Sequence, residues 1–184
     1  MALFSDTFVD NRNGWSIGPS NASDVEISGG QLSIAMKTAN IFNIGPVPKT
    51  LPADVDVTFD SVVENNAGTG TFLGAVCRVQ PGKNFYMFQV FIAPGAGLVV
   101  ISKVVNGQLT ILDGPTSSQI IQLGQAKNTI RMVCSGDQLH LSVNGTELAT
   151  AQDNTLKEGG VALYSQATAA GAKVAFSNLV INAP

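Results

Sequence analysis

Apolar and polar residues alternate with a period of two along much of the chain. That is the repeat of a β-strand with one buried face, because successive side chains leave opposite sides of the pleat. Between Asp54 and Asp60, Val55, Val57 and Phe59 fall on one face, and Asp56, Thr58 and Asp60 on the other. Ile130, Met132 and Cys134 form a second inward set. Leu139, Leu141 and Val143 form a third, opposite His140 and Ser142. Leu73, Ala75, Cys77 and Val79 form a fourth, with Phe72, Val76 and Arg78 facing outward. A single bulge exchanges the faces beyond it, so each assignment depends on an unbroken pleat.

Turn signals separate these runs. Asn106-Gly107 and Asn144-Gly145 each lie between alternating segments, where a tight hairpin needs positive φ at both central residues. Gly29-Gly30, Pro81-Gly82, Pro94-Gly95 and Ser135-Gly136-Asp137 punctuate the rest. The spacing predicts roughly a dozen short strands. No segment keeps a helical period, and Asp153 to Leu156 reads as a turn. An all-β fold follows, with two antiparallel sheets packed face to face and little or no helix. With no repeat and no linker, residues 1–184 are expected to form one domain.

Residues Phe85 to Ile92 break the alternation. If Tyr86, Phe88, Val90 and Ile92 point inward, then Phe85, Met87, Gln89 and Phe91 point outward, and that second face is also apolar. Arg78 and Lys103 from flanking strands would join it. An aromatic face with amide and cationic donors is what sugar-binding clefts use. Arg78, Phe85, Gln89, Phe91 and Lys103 are therefore the candidate ligand-binding residues. The same face could instead bury against a second protein subunit, or lie under another part of the same chain.

Composition narrows the partners. Charged residues make up 12% of the chain and the net charge is −3, about half the usual charged share. The surface must then be built from Ser, Thr, Asn, Gln, Gly and Ala, which suits extracellular modules and subunits of assemblies. The ten Lys and Arg residues form no stripe, so no nucleic acid is expected as a partner. No apolar run reaches the roughly 20 residues of a membrane helix, so no membrane insertion is expected. Met1 to Asp6 lacks the basic region and long apolar core of a signal peptide.

Candidate chemistry is sparse. Cys77 and Cys134 both fall on inward sets, where they can bridge or remain two buried thiols. There is no Cys-x-x-Cys and no His cluster for zinc. Asp56 and Asp60 share an outer face roughly 13 Å apart at about 3.3 Å per residue. That exceeds the roughly 5–9.5 Å separation of a glycosidase acid and its partner. His140 is the single histidine, and no Gly-x-Ser-x-Gly elbow accompanies it. Asp6 and Asp10, with Asn11 and Asn13, offer hard oxygens and are weak calcium candidates. Trp15 suits a core plug or a sugar platform.

The opening Phe4-x-Asp6-x-Phe8-x-Asp10-Asn11, closed by Gly14-Trp15, resembles the start of bacterial laminin G-like, concanavalin A-like jelly rolls. So does the order of Cys77-Arg78-Val79-Gln80, Asn84-Phe85-Tyr86-x-Phe88, Lys103-Val104-Val105-Asn106-Gly107, Asn128-x-Ile130-Arg131 and Val174-x-Phe176-Ser177-Asn178-Leu179. The resemblance covers nearly the whole chain. It implies a jelly roll, and a disulfide between Cys77 and Cys134. It also implies a non-catalytic, lectin-like or adhesion module of an extracellular or cell-surface bacterial protein, with a glycan as partner. Calcium in related sandwiches lies where the terminal strands meet, and Ser177 stands where relatives commonly carry Asp. The fold is similar to family 16 glycoside hydrolases and keto-disaccharide hydrolase domains, but the family 16 Glu-x-Asp-x-x-Glu strand is absent. Low charge and the apolar outer face also support an alternative, a subunit that self-assembles into a filament, sheath or shell as a homo-oligomer.

Overall fold

A computed structural model describes residues 2–184, which contain fifteen strands and no helix. In chain order they are β1 (Phe4–Asp6), β2 (Gly18–Pro19), β3 (Ser23–Ser28), β4 (Gln31–Met36), β5 (Asn43–Pro46), β6 (Val55–Asn65), β7 (Thr71–Gln80) and β8 (Asn84–Ala93). Then follow β9 (Ala96–Val105), β10 (Gln108–Ser117), β11 (Asn128–Ser135), β12 (Gln138–Val143), β13 (Thr146–Gln152), β14 (Gly160–Ala167) and β15 (Lys173–Asn182). A nine-stranded sheet runs β13-β12-β11-β6-β15-β4-β3-β2, with β1 beside β15. A six-stranded sheet runs β10-β9-β8-β7-β14-β5. All pairings within them are antiparallel. The expected jelly-roll sandwich is the observed fold.

The turns fall where the dipeptides put them. Asn106 and Gly107 have φ of 52° and 78°, and Asn144 and Gly145 have 51° and 82°. Each pair forms the two-residue link of a hairpin, β9–β10 and β12–β13. A β-branched residue at either position would resist the left-handed backbone.

The inward sets meet in one core. Val55, Val57, Phe59, Leu73, Ala75 and Cys77 belong to it and are at most 1% exposed, as are Ile130, Met132, Leu139 and Leu141. Tyr86, Phe88, Val90 and Ile92 face the same core from β8. Cys77 on β7 is bonded to Cys134 on β11, so the bridge joins the two sheets through the core.

The pleat breaks at one decisive place. Between the pairs Cys77↔Tyr86 and Gln80↔Asn84, Arg78 and Val79 stand opposite the single residue Phe85. On the other side, β14 pairs Val161 with Cys77 and Gly160 with Val79, skipping Arg78. Arg78 is the extra residue of a β-bulge and has φ of 52°. Beyond it the faces exchange. Val79, expected inside, packs with the outer-face residues Val76 and Phe85, and Arg78, expected outside, turns into the sandwich.

The bridge closes a loop with a sequence separation of 57 residues, for which chain entropy gives about 4 kcal/mol at room temperature. Replacing both cysteines by alanine should lower the unfolding free energy by about 2–4 kcal/mol. Urea unfolding of the pair variant beside the oxidised protein tests this, and coincident midpoints would rule out a structural role for the bridge.

Candidate functional site

The outer face of the six-stranded sheet divides into a sealed half and an open half. In the sealed half Val76, Phe85, Met87, Val104, Ala162 and Tyr164 form a second apolar cluster, with Ile44 and Val79 packed against it. Phe85 lies on the outer face as expected, but it is only 3% exposed. The chain itself covers it, so its ring has little surface left for a ligand.

In the open half the six-stranded sheet carries a groove of about 490 Å³. That lies within the roughly 300–1,000 Å³ span of small-molecule sites. Its aromatic floor is Phe72 and Phe91, with ring centroids 4.5 Å apart and planes inclined by 43°. A Cβ on Gly70 would collide with the Phe91 ring, so the glycine gives that ring its seat. Phe42, 42% exposed, tilts against Tyr164 at 5.8 Å. Leu109 and Ile111, each about half exposed, project from β10 at the far side.

A polar line crosses this floor. Gln89 Nε2 donates to the Tyr164 hydroxyl at 3.0 Å, and that hydroxyl donates to Gln166 Oε1 at 2.6 Å. Gln89 and Tyr164 sit on β8 and β14, with β7 between them, so their backbones are roughly 9–10 Å apart. Their shared neighbour on β7 is Gly74. With no side chain there, the two polar groups meet directly over it. A Cβ at Gly74 would also strike the Phe88 carbonyl oxygen. Burial pushes the Tyr164 hydroxyl above the usual phenol range, against the opposing pull of the bond from Gln89, so it stays a donor. Ser102, opposite Met87 on the floor, is fully buried and its hydroxyl has no partner. None of the groove-lining residues is charged.

Two expected members of this face lie elsewhere. Arg78, turned inward by its bulge, is 2% exposed. Its guanidinium donates through Nη1 to the Leu156 carbonyl at 2.7 Å, and through Nη2 to the Gly136 carbonyl at 2.7 Å and Asp54 Oδ1 at 2.8 Å. It also lies 5.8 Å over the Tyr86 ring. Gly159 backs the bulge, since a Cβ there would meet the Arg78 backbone. Lys103 pairs across the sheet with Tyr86, so it too faces inward. It meets Asp153 Oδ2 at 2.5 Å and Thr155 Oγ1 at 2.9 Å. The Tyr86 hydroxyl donates to Asp153 Oδ1 at 2.6 Å. Burial disfavours the charged Asp153 carboxylate, but the bonds from Lys103, Tyr86 and Thr155 outweigh it and hold its carboxyl well below the usual range. Both cations tie the rim of the sandwich rather than face the groove.

The N-terminal oxygens serve Trp15. Asp6 Oδ2 accepts the indole N–H and the Asn13 side chain, each at 2.7 Å, while its Oδ1 accepts the Phe8 amide at 2.7 Å. Asn11 brackets the Trp15 backbone through both atoms of its amide. Asp10 is engaged by Arg12, whose hydrogen bonds hold the carboxyl down to about 2. The weak calcium candidates Asp6 and Asp10 thus both accept hydrogen bonds from their own turn, and among the described residues no group of three His, Cys, Asp or Glu side chains converges. Trp15 is 4% exposed against Phe4 and Phe8. It also borders a cavity of about 230 Å³ between the open edges of the two sheets, but its N–H is already used. On the nine-stranded sheet, Asp56 is paired with Arg131 through both oxygens, and Asp60 accepts from Thr129, Lys127 and Asn178. His140 Nδ1 lies 2.9 Å from Glu147.

Of the five expected residues, the groove brings together Gln89 and Phe91 alone. Phe42, Phe72, Ser102, Leu109, Ile111 and Gln166 are among the residues that join them, with Tyr164 bonded to Gln89 behind the lining. Alternation in β14 could have placed Tyr164 and Gln166, because Gly74 opposite marks a missing side chain. No local signal announced Phe42, which precedes β5.

No protein-family model matches the sequence, and no curated protein does either. Solved structures do. The carbohydrate-binding module CBM66 from Bacillus subtilis is 16% identical with a TM-score of 0.57, covering 93% of this chain and 92% of its own. A Bacillus subtilis protein of unknown function with a galectin-like fold is 11% identical with a TM-score of 0.69, covering 99% and 96%. The CBM2 module of the evolved Dit of Lactobacillus casei BL23 phage J-1 is 11% identical with a TM-score of 0.65, covering 98% and 94%. At these identities the likeness defines the class of fold, a concanavalin A-like or galectin-like jelly roll.

Replacing Arg78 by methionine leaves three backbone carbonyls without their donor. It should lower stability by about 2–5 kcal/mol in urea unfolding, and a change under about 0.5 kcal/mol would deny the rim its anchor. Asp153 should make the fold acid-sensitive. Its carboxyl titrates lower folded than unfolded, so its stabilisation is complete above the unfolded value of about 4 and fades as pH falls further. Between pH 6 and pH 2.5 the native protein should therefore lose more stability than Asp153→Asn, and parallel curves would refute this.

Proposed function

We propose that the protein is a non-catalytic, lectin-like carbohydrate-binding module that takes a glycan in the groove over Phe72 and Phe91. The observation carrying this reading is the pair of half-buried rings lining the groove beside the Gln89–Tyr164–Gln166 line. Rings cover the apolar face of a pyranose, and amides and hydroxyls fix its orientation. Carbohydrate-binding modules among the similar folds support it. Asp56 and Asp60 are each held in structural contacts, which leaves hydrolysis without an assigned acid and base. The bridge between Cys77 and Cys134 supports an extracellular or cell-surface setting. The five expected binding residues reduce to Gln89 and Phe91 in this proposal.

A second reading rests on Leu109 and Ile111, which protrude half exposed from β10. Such a pair suits contact with another copy in an assembly. Light scattering at rising concentration separates the two, since an open assembly keeps growing and a discrete binding module holds a fixed size.

A glycan array followed by titration of the best hit tests the leading reading. Phe91→Ala should weaken binding at least about tenfold, and Gln89→Ala should do so to a smaller degree, both with unchanged circular dichroism. No glycan bound, or affinity indifferent to both changes, would overturn it.

A further inference from the structure

The groove is short of hydrogen-bonding groups for an unmodified sugar. A hexose carries hydroxyls around its whole rim, and each one buried against hydrocarbon without a partner weakens binding. Here the polar supply is Gln89, Ser102 and Gln166, with Tyr164 behind them. Part of that supply is already used, since Gln89 Nε2 donates to Tyr164 and Tyr164 donates to Gln166 Oε1. What stays free is the Gln89 amide oxygen and its second N–H, the Gln166 amide NH₂ and the Ser102 hydroxyl. Around them stand Phe42, Phe72, Phe91, Val100, Leu109 and Ile111. No cation is present to balance a uronic or sialic carboxylate, and no anion to balance an amino sugar.

Ser102 sharpens the chemistry. Its hydroxyl is fully buried in the groove floor and unpartnered, a state that disfavours the empty site. Its cross-strand neighbour on β10 is Ile111, 51% exposed. Met87, the neighbour of Ser102 on β8, is fully buried, so the approach for a bound group is past Ile111. The group that fits is a carbonyl acceptor attached to a methyl, with the acceptor on Ser102 or the Gln166 amide and the methyl against Phe72 and Phe91.

We infer that the groove selects a neutral sugar bearing an acyl substituent, an N-acetyl or O-acetyl group, over its unsubstituted counterpart. This rests on the carbohydrate-binding reading and specifies its ligand. The deciding experiment is an array of matched pairs on the full chain: chito- against cello-oligosaccharides, and O-acetylated against saponified xylan and mannan, with oligogalacturonate as the anionic comparison. Binding should favour the acetylated member at least about tenfold. Ser102→Ala should weaken the acetylated ligand about three- to tenfold while leaving the melting temperature equal or higher, because an unpaired buried hydroxyl is removed. Equal or tighter binding of the unsubstituted or anionic member overturns the inference and leaves the carbohydrate reading standing. Binding of no member, or self-association through the groove abolished by Ile111→Lys, overturns both.

Discussion

The fold depends on what happens at two consecutive residues of β7. Cys77 keeps the pleat and joins the opposite sheet through a disulfide. Arg78 breaks the pleat, and the bulge sends its guanidinium over the rim to the Gly136 turn, the Leu156 loop and Asp54 just before β6. A guanidinium is suited to this because its donors diverge in a fixed plane and its charge is spread thinly enough to be buried. One covalent and one polar clamp therefore hold the same end of the sandwich. Lys103, Tyr86 and Asp153 extend that tie to the next strands. At the other end of β7 no cation enters, and there the outer face opens into the groove.

Much of this was readable in the chain. The inward sets built on Val55, Ile130, Leu139 and Leu73, the Asn-Gly hairpins and the sandwich itself follow from period and turn chemistry, which are local. The outward set of β8 was readable too, because Phe85, Met87, Gln89 and Phe91 do lie on one face. The chief failure has a physical source. A bulge is a non-local compromise between a strand and both its neighbours, and no motif announced that Arg78 would adopt a left-handed backbone. Its face, and the grouping built on it, were inverted. Lys103 failed for a simpler reason, since its register against Tyr86 is fixed only once β8 and β9 pair.

The acidic and amide residues near the N-terminus carry a related lesson. Asp6, Asn11 and Asn13 have the composition of a cation site, yet the Asp6 and Asn11 oxygens are aimed at N–H groups of the Phe8–Trp15 turn, and Asn13 donates to Asp6. Donor supply, rather than oxygen count, decides whether such a cluster is structural. Here the indole N–H, which would otherwise be buried without an acceptor, supplies the reason for the carboxylate.

Gly74 decides how the polar groups of this face connect. Phe72 and Phe91 share one row of the sheet with Gln166, and Tyr164 and Gln89 share the next, with Gly74 between them. Because the middle of that second row carries no side chain, phenol and amide reach each other across β7, and the bond from Tyr164 to Gln166 then links the polar row to the aromatic one. The face is therefore wired through a single phenol, and a change at Tyr164 would release both amides at once.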